Sequence, residues 1–182
     1  MTKTSTDDRI PLLVLGLGNV LCGDDGAGVI AVHRLRRAWA MPAGVRVVDG
    51  GTLGLDLLAL VAASARVILV DAVRAAAPPG TLVRLTGDEV ARAVYERLSA
   101  HQIGVADLLA GAALCERYPD EVVIAGIVPE TTDLAFGCTP AVEANLDALV
   151  DSVLDELRAR GYAPERLLEP AAIDDGARAL GL

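Results

Sequence analysis

The sequence predicts an α/β protein in which a mostly parallel sheet of five strands carries helices on both faces. Three observations lead there. Short, nearly unbroken apolar runs over 10–17, 45–48, 67–70 and 122–128 have the length, and the lack of polar alternation, of strands covered on both sides. Between them lie segments whose apolar residues recur at helical spacing. The two kinds of segment alternate along the chain, as they do when crossover helices cover a parallel sheet.

Each element has a local reason. The first strand ends in Gly16-Leu17-Gly18-Asn19, a turn that small residues permit. Val29, Val32, Leu35 and Trp39 then form one stripe of a helix, with Arg34, Arg36 and Arg37 mostly off it, and Pro42 and Gly44 stop it. The strand over 45–48 runs into Asp49-Gly50-Gly51-Thr52. A helix follows over 53–63, then a third buried strand that ends at Asp71. Pro78-Pro79-Gly80 turns the chain into an edge strand over 81–85, followed by a helix over 88–98. The polar loop Ser99-Ala100-His101-Gln102 leads to a helix over 104–117, and the fifth strand contains Gly126. In the last helix Thr139 stands as N-cap and Pro140 in the first turn. Val142, Leu146, Leu149, Val150, Val153, Leu154 and Leu157 make its apolar face, and Gly161 stops it. Residues 1–9 read as a flexible polar lead-in, 10–161 as one α/β domain, and 162–182 as an extension without an assigned role.

Composition narrows the function. A formal charge of −9 opposes binding to nucleic acid or to an anionic membrane surface. The N-terminus lacks the apolar core of a signal peptide. The longest apolar run, 53–70, is broken by Asp56, Ser64 and Arg66, so no membrane span is expected. Cys22, Cys115 and Cys138 show no CxxC spacing and read as reduced thiols of a cytoplasmic protein.

The chemistry gathers where strands end. The glycine-rich turn after the first strand would cradle phosphate if it were bare. It carries Asp24 and Asp25 instead, which repel an anion and attract a cation. Asp49 and Asp71 close the second and third strands, at the rim where open α/β sheets bind ligands. His101 adds a nitrogen donor in a polar loop. Such a mixed oxygen and nitrogen set suits nickel, zinc or manganese. The plainer alternative makes Asp49 and Asp71 turn residues, His101 a solvated loop histidine and His33 a surface residue.

The motifs also resemble a known family. Gly16-Leu17-Gly18-Asn19, Asp24-Asp25-Gly26-Ala27-Gly28, Asp49-Gly50-Gly51-Thr52-Leu53-Gly54, Val70-Asp71-Ala72, Ser99-Ala100-His101-Gln102-Ile103-Gly104, Gly126-Ile127-Val128-Pro129-Glu130 and Gly137-Cys138-Thr139-Pro140 follow one another in the order found in the hydrogenase maturation endopeptidases. The resemblance spans about residues 11–160. It implies a three-layer α/β/α sandwich around a twisted sheet of about five strands. It also implies a metal site on Asp25, Asp71 and His101, with Asp49 as a further functional carboxylate. The substrate it implies is a [NiFe]-hydrogenase large-subunit precursor, whose C-terminal extension is cut off once nickel has been inserted. Nickel then arrives with the substrate, and no organic cofactor is needed. The chain departs from the family pattern in having Asp25 where many relatives have Glu, Ala100 where proline often precedes the histidine, and Cys138 where Leu is usual.

Three rivals remain at this level. A docking chaperone that senses nickel without cutting would use the same residues. A dinucleotide-binding oxidoreductase would need a third glycine where Leu21 stands. A cysteine-protease dyad would pair Cys22 with His101.

Overall fold

The computed structural model describes residues 9–96 and 105–169. Five strands form the central sheet: β1 (Leu12–Leu17), β3 (Val45–Gly51), β4 (Arg66–Ala72), β6 (Glu121–Ile127) and β5 (Leu82–Thr86), in the order β3-β1-β4-β6-β5. All neighbours pair in parallel except β5, which runs antiparallel to β6 at the edge. The predicted class, strand number and edge position of the strand over 81–85 therefore match the fold.

The central strand β1 is buried along its whole length, which explains its unbroken apolar sequence. Leu12 and Val14 face a layer made by α1 (Ala27–Ala38) and α6 (Leu146–Ala159), where they meet Leu35, Leu149, Val153 and Leu157. Leu13, Leu15 and Leu17 face the opposite layer, against Leu57, Val61 of α2 (Leu58–Ala62), Val90 of α3 (Asp88–Glu96), and Leu108 and Ala112 of α4 (Val105–Leu114). Each fully buried leucine of these two layers contributes about 2 kcal/mol by leaving water.

Several elements differ from the sequence expectation. The segment over 53–63 opens as a 3-10 turn, Gly54–Leu57, before α2 begins. The last helix is two helices, α5 (Pro140–Glu143) and α6. Asn145 lies between them at φ −114° and its side-chain amide donates to the Ala141 carbonyl at 2.9 Å, a local bond that competes with a continuous helix. Trp39 leaves the α1 stripe and opens β2 (Trp39–Ala40), which pairs antiparallel with β7 (Glu165–Arg166). The Trp39 ring carries the guanidinium groups of Arg158 and Arg166 at 5.7 and 5.9 Å, so cation–π attraction holds the chain beyond Gly161 against the domain. At the other end, Arg9 donates to Asp120 and to the Ser64 carbonyl.

Topology positions the site. The chain goes from β1 to β3 on one side, then returns to β4 on the other side of β1. Loops leaving β1 and β4 therefore diverge and leave a crevice at the carboxyl end of the sheet. At this point α1 lies so close to the sheet that a Cβ on Gly28 would run into the Val70 and Leu17 carbonyls. Gly28→Ala is expected to cost about 3 kcal/mol through overpacking. Urea unfolding at constant m-value reads the loss; a cost under about 0.5 kcal/mol would mean that the helix can step back.

Candidate active site at the carboxyl rim

The loop after β1 is shaped by short-range bonds. Gly18 takes φ 121° and its N–H donates to the Gly51 carbonyl at 3.1 Å; a side chain there would strike the Asp25 backbone. The Asn19 side-chain oxygen accepts the Leu21 N–H at 3.0 Å, and the Asn19 N–H donates to Asp25 Oδ2 at 2.8 Å. Asp25 lies in the 3-10 turn Gly23–Gly26, half-buried, with one oxygen fixed by the backbone of its own loop.

Asp24 does something different, and this corrects the expectation that both neighbouring carboxylates attract a cation. Its side chain is fully buried. Oδ1 accepts the Thr139 N–H at 2.6 Å, while Oδ2 accepts the Glu130 N–H at 2.8 Å, the Thr131 N–H at 3.3 Å and the Thr139 hydroxyl at 2.9 Å. Thr139 precedes α5, as predicted, but its hydroxyl goes to Asp24 and makes no cap bond to the helix. Backbone bonds between Gly23 and Ala135, and between Ala135 and Leu21, extend the same seam. The loop over 129–139 is thereby bound to the glycine turn. Cys138 beside this seam has its thiol pushed up to about 12, first by burial and then by the charge of Asp24, so it stays protonated at neutral pH.

Asp71 occupies the penultimate position of β4, opposite Gly126 of β6. By strand alternation it shares a face with Leu69, on the layer of α4. The 3-10 turn that holds Asp25 packs against β4. The turn that carries Asp25 and the end of β4 that carries Asp71 thus adjoin at the carboxyl end of the sheet. Next to it, a cleft of about 340 Å³ opens where β4 and β6 end, between Arg74 and Ala75 on one side and Pro129, Glu130 and Thr131 on the other.

Asp49 points elsewhere. It shares a face with Val47, toward α1, whereas Asp71 lies on the opposite face of the sheet. Its Oδ2 meets His33 Nε2 at 2.8 Å, and its Oδ1 accepts the Gly51 N–H at 2.9 Å. The His33 bond, as the largest cause, holds the Asp49 carboxyl below its ordinary value. His33 was expected at the surface; it is half-buried against Asp49. A signal existed, because His33 lies four residues after Val29, on the flank of the apolar stripe. His101 falls outside the described residues. Among the described residues no group of three or more His, Cys, Asp and Glu side chains could hold a metal ion. Asp25 and Asp71 are oxygen donors, a type that divalent metals accept.

The profile of the hydrogenase maturation protease family matches residues 29–156. The Hydrogenase 2 maturation protease of Escherichia coli (strain K12) is 35% identical over 151 residues, which cover 82% of this chain and 92% of that protein. The hydrogenase expression/formation protein HupD of Rhodobacter capsulatus is 40% identical over 152 residues, 82% of this chain and 72% of that one. The solved structure of the hydrogenase maturating endopeptidase HybD from E. coli superposes with a TM-score of 0.79 at 34% identity, covering 88% of this chain and 98% of that one. The chain belongs to the hydrogenase maturation proteases. It is an endopeptidase of that family, and the α/β/α fold expected from the resemblance is the fold found.

Two outcomes test the geometry. Asp24→Ala strands three backbone N–H donors and should cost about 4 kcal/mol, read by chemical denaturation; a neutral change would mean that the seam holds without its carboxylate. The depressed Asp49 carboxyl adds stability above its unfolded value, near 3.9, and that stability is lost as pH falls through the lower folded value. The stability gap between wild type and Asp49→Asn should therefore narrow as pH drops below about 4. Unfolding curves at neutral and acid pH measure it, and a gap independent of pH would take the charge out of the pair.

Proposed function

We propose that this protease removes the C-terminal extension of a [NiFe]-hydrogenase large-subunit precursor after nickel insertion, with the nickel entering as part of the substrate. One observation carries the reading: the 3-10 turn that holds Asp25 packs against β4, the strand that ends near Asp71, although 46 residues separate these two carboxylates, which the family resemblance assigns to the metal. His101 is the proposed nitrogen donor. Two carboxylates and an imidazole would leave coordination positions for ligands that the substrate brings, so nickel held by the precursor would be bridged rather than extracted. Recognition would then depend on nickel occupancy, because an empty precursor lacks that contact.

The surroundings suit a protein substrate. Leu21, Leu53, Leu55, Leu134 and Phe136 are exposed, and they lie on the loops that follow β1, β3 and β6. Phe136 is the single phenylalanine of the chain, and burial would be its usual fate. Among the described residues no helix is long and apolar enough to cross a membrane, and the reaction is assigned to the cytoplasm, where Cys22, Cys115 and Cys138 persist as thiols.

Two chemical routes were open for cleavage, a Lewis-acid route through the metal and a route with Asp49 as general base. Asp49 is poorly suited to the second. Both of its oxygens are engaged, its carboxyl is held low, and it lies on the other face of the sheet from Asp71. Its bond to Gly51 instead supports the turn whose carbonyl anchors Gly18, the residue packed on Asp25. Asp49 and His33 therefore act as positioning residues in this reading.

Intact mass spectrometry of precursors from the same genome, incubated with and without loaded nickel, tests the proposal. Loss of a defined C-terminal peptide from the nickel-loaded form alone is expected. Asp25→Asn, Asp71→Asn and His101→Ala should each lower the cleavage rate at least about 100-fold with the fold retained. A stable complex without mass change would support a docking chaperone instead, and neither complex nor cleavage would sink the reading.

A further inference from the structure

Resting on that reading, we infer that Arg74 is a specificity-determining residue that binds a carboxylate of the departing C-terminal peptide in the cleft beside Asp71.

Arg74 is three residues beyond Asp71, at most about 10 Å along an extended chain. A peptide cut at the Asp71 crevice and continuing through the cleft passes the guanidinium two or three residues from the scissile bond. The cleft begins where β4 and β6 part. Its far wall is Pro129, Glu130 and Thr131, and the N–H groups of Glu130 and Thr131 are held by the buried Asp24. The wall is therefore fixed before any substrate arrives.

Among the described residues the charge of Arg74 is unspent. Arg9, Arg34, Arg66, Arg84, Arg158 and Arg160 each pair with a carboxylate. Arg74 forms no ion pair or hydrogen bond with the described residues, although the chain carries 25 acidic groups against 16 basic ones. It is exposed at its end of the cleft. Glu130 lines the other wall beyond ion-pair distance, so the cleft has one cationic end and one anionic end. An anion is admitted only where Arg74 reaches it, and the site would read the position of a carboxylate rather than net charge. A guanidinium binds a carboxylate through two parallel N–H bonds, a geometry that a lysine ammonium does not reproduce. The carboxylate can come from an Asp or Glu side chain of the extension or from the chain terminus; the chemistry at Arg74 is the same.

The test uses the full-length protein and nickel-loaded precursor. Arg74→Ala should raise KM about tenfold with kcat within about twofold, Arg74→Glu should raise KM further, and Arg74→Lys should recover part of the loss. Neutralising the Asp and Glu side chains of the extension should reproduce the Arg74→Ala effect in wild type, and should change nothing in Arg74→Ala. If only lengthening the chain past its natural end has that effect, the terminus is the source. Unchanged KM in both Arg74→Ala and Arg74→Glu would overturn the assignment. Titration of the synthetic extension peptide reads Arg74 independently of cleavage. If wild type cuts no precursor the processing reading fails, while equal affinity of the peptide for wild type and Arg74→Glu overturns the role of Arg74.

Discussion

The buried carboxylate of Asp24 is the interaction on which the functional end of this molecule depends. Removing a carboxylate from water costs several kcal/mol unless its lone pairs are filled. Here three backbone N–H groups and one hydroxyl fill them, and all four come from Glu130, Thr131 and Thr139, which lie more than 100 residues downstream. The bonds cannot be satisfied one at a time. Either the loop over 129–139 closes onto the glycine turn or a charge is left without partners, and that makes the seam cooperative. Its consequences reach the wall of the cleft, the display of Leu134 and Phe136, and the inert state of the Cys138 thiol.

With Asp24 turned inward, Asp25 is left as the outward group of the pair. The 3-10 turn sends these successive side chains in different directions. Asp25 is then aimed by Asn19, which is positioned by Gly18, which bonds Gly51, which is held by Asp49 and His33. Helix α1, the exit of β3 and the exit of β1 thus share one hydrogen-bonded path to the carboxylate that faces the crevice. Such a path links Asp49, on the far face of the sheet, to the position of Asp25.

Much of the fold was legible in the sequence because its cause is local. β1 and the 67–70 stretch of β4 are apolar since both faces are covered, and that pattern needs no knowledge of the partners. Gly161 ends α6 at φ 81° for reasons that its own backbone dictates. The misreadings share one character. Thr139 has the composition of a cap, and only a carboxylate from residue 24 diverts its hydroxyl. Trp39 fits the helical stripe, yet Arg158 and Arg166 hold it in a strand. Asp24 and Asp25 are chemically identical neighbours, and the partners that bury Asp24 lie more than 100 residues away. The site was legible as a set of carboxylates at strand ends; the division of labour among them is written in contacts between distant segments.

Asp49 shows how far a carboxylate at a strand end can be interpreted from position alone. All of the strand-end acids lie at the same rim, so rim position cannot rank them. Strand alternation can, because a shift of one residue moves a side chain to the other face. Asp49 pairs in register with Gly16, which in turn pairs with Val70, so Asp49 is level with the residue before Asp71 and points the opposite way. That single step puts Asp49 and Asp71 on opposite faces of the sheet. It also explains the partner: the α1 face offers His33, and a carboxylate there is stabilised by an imidazole.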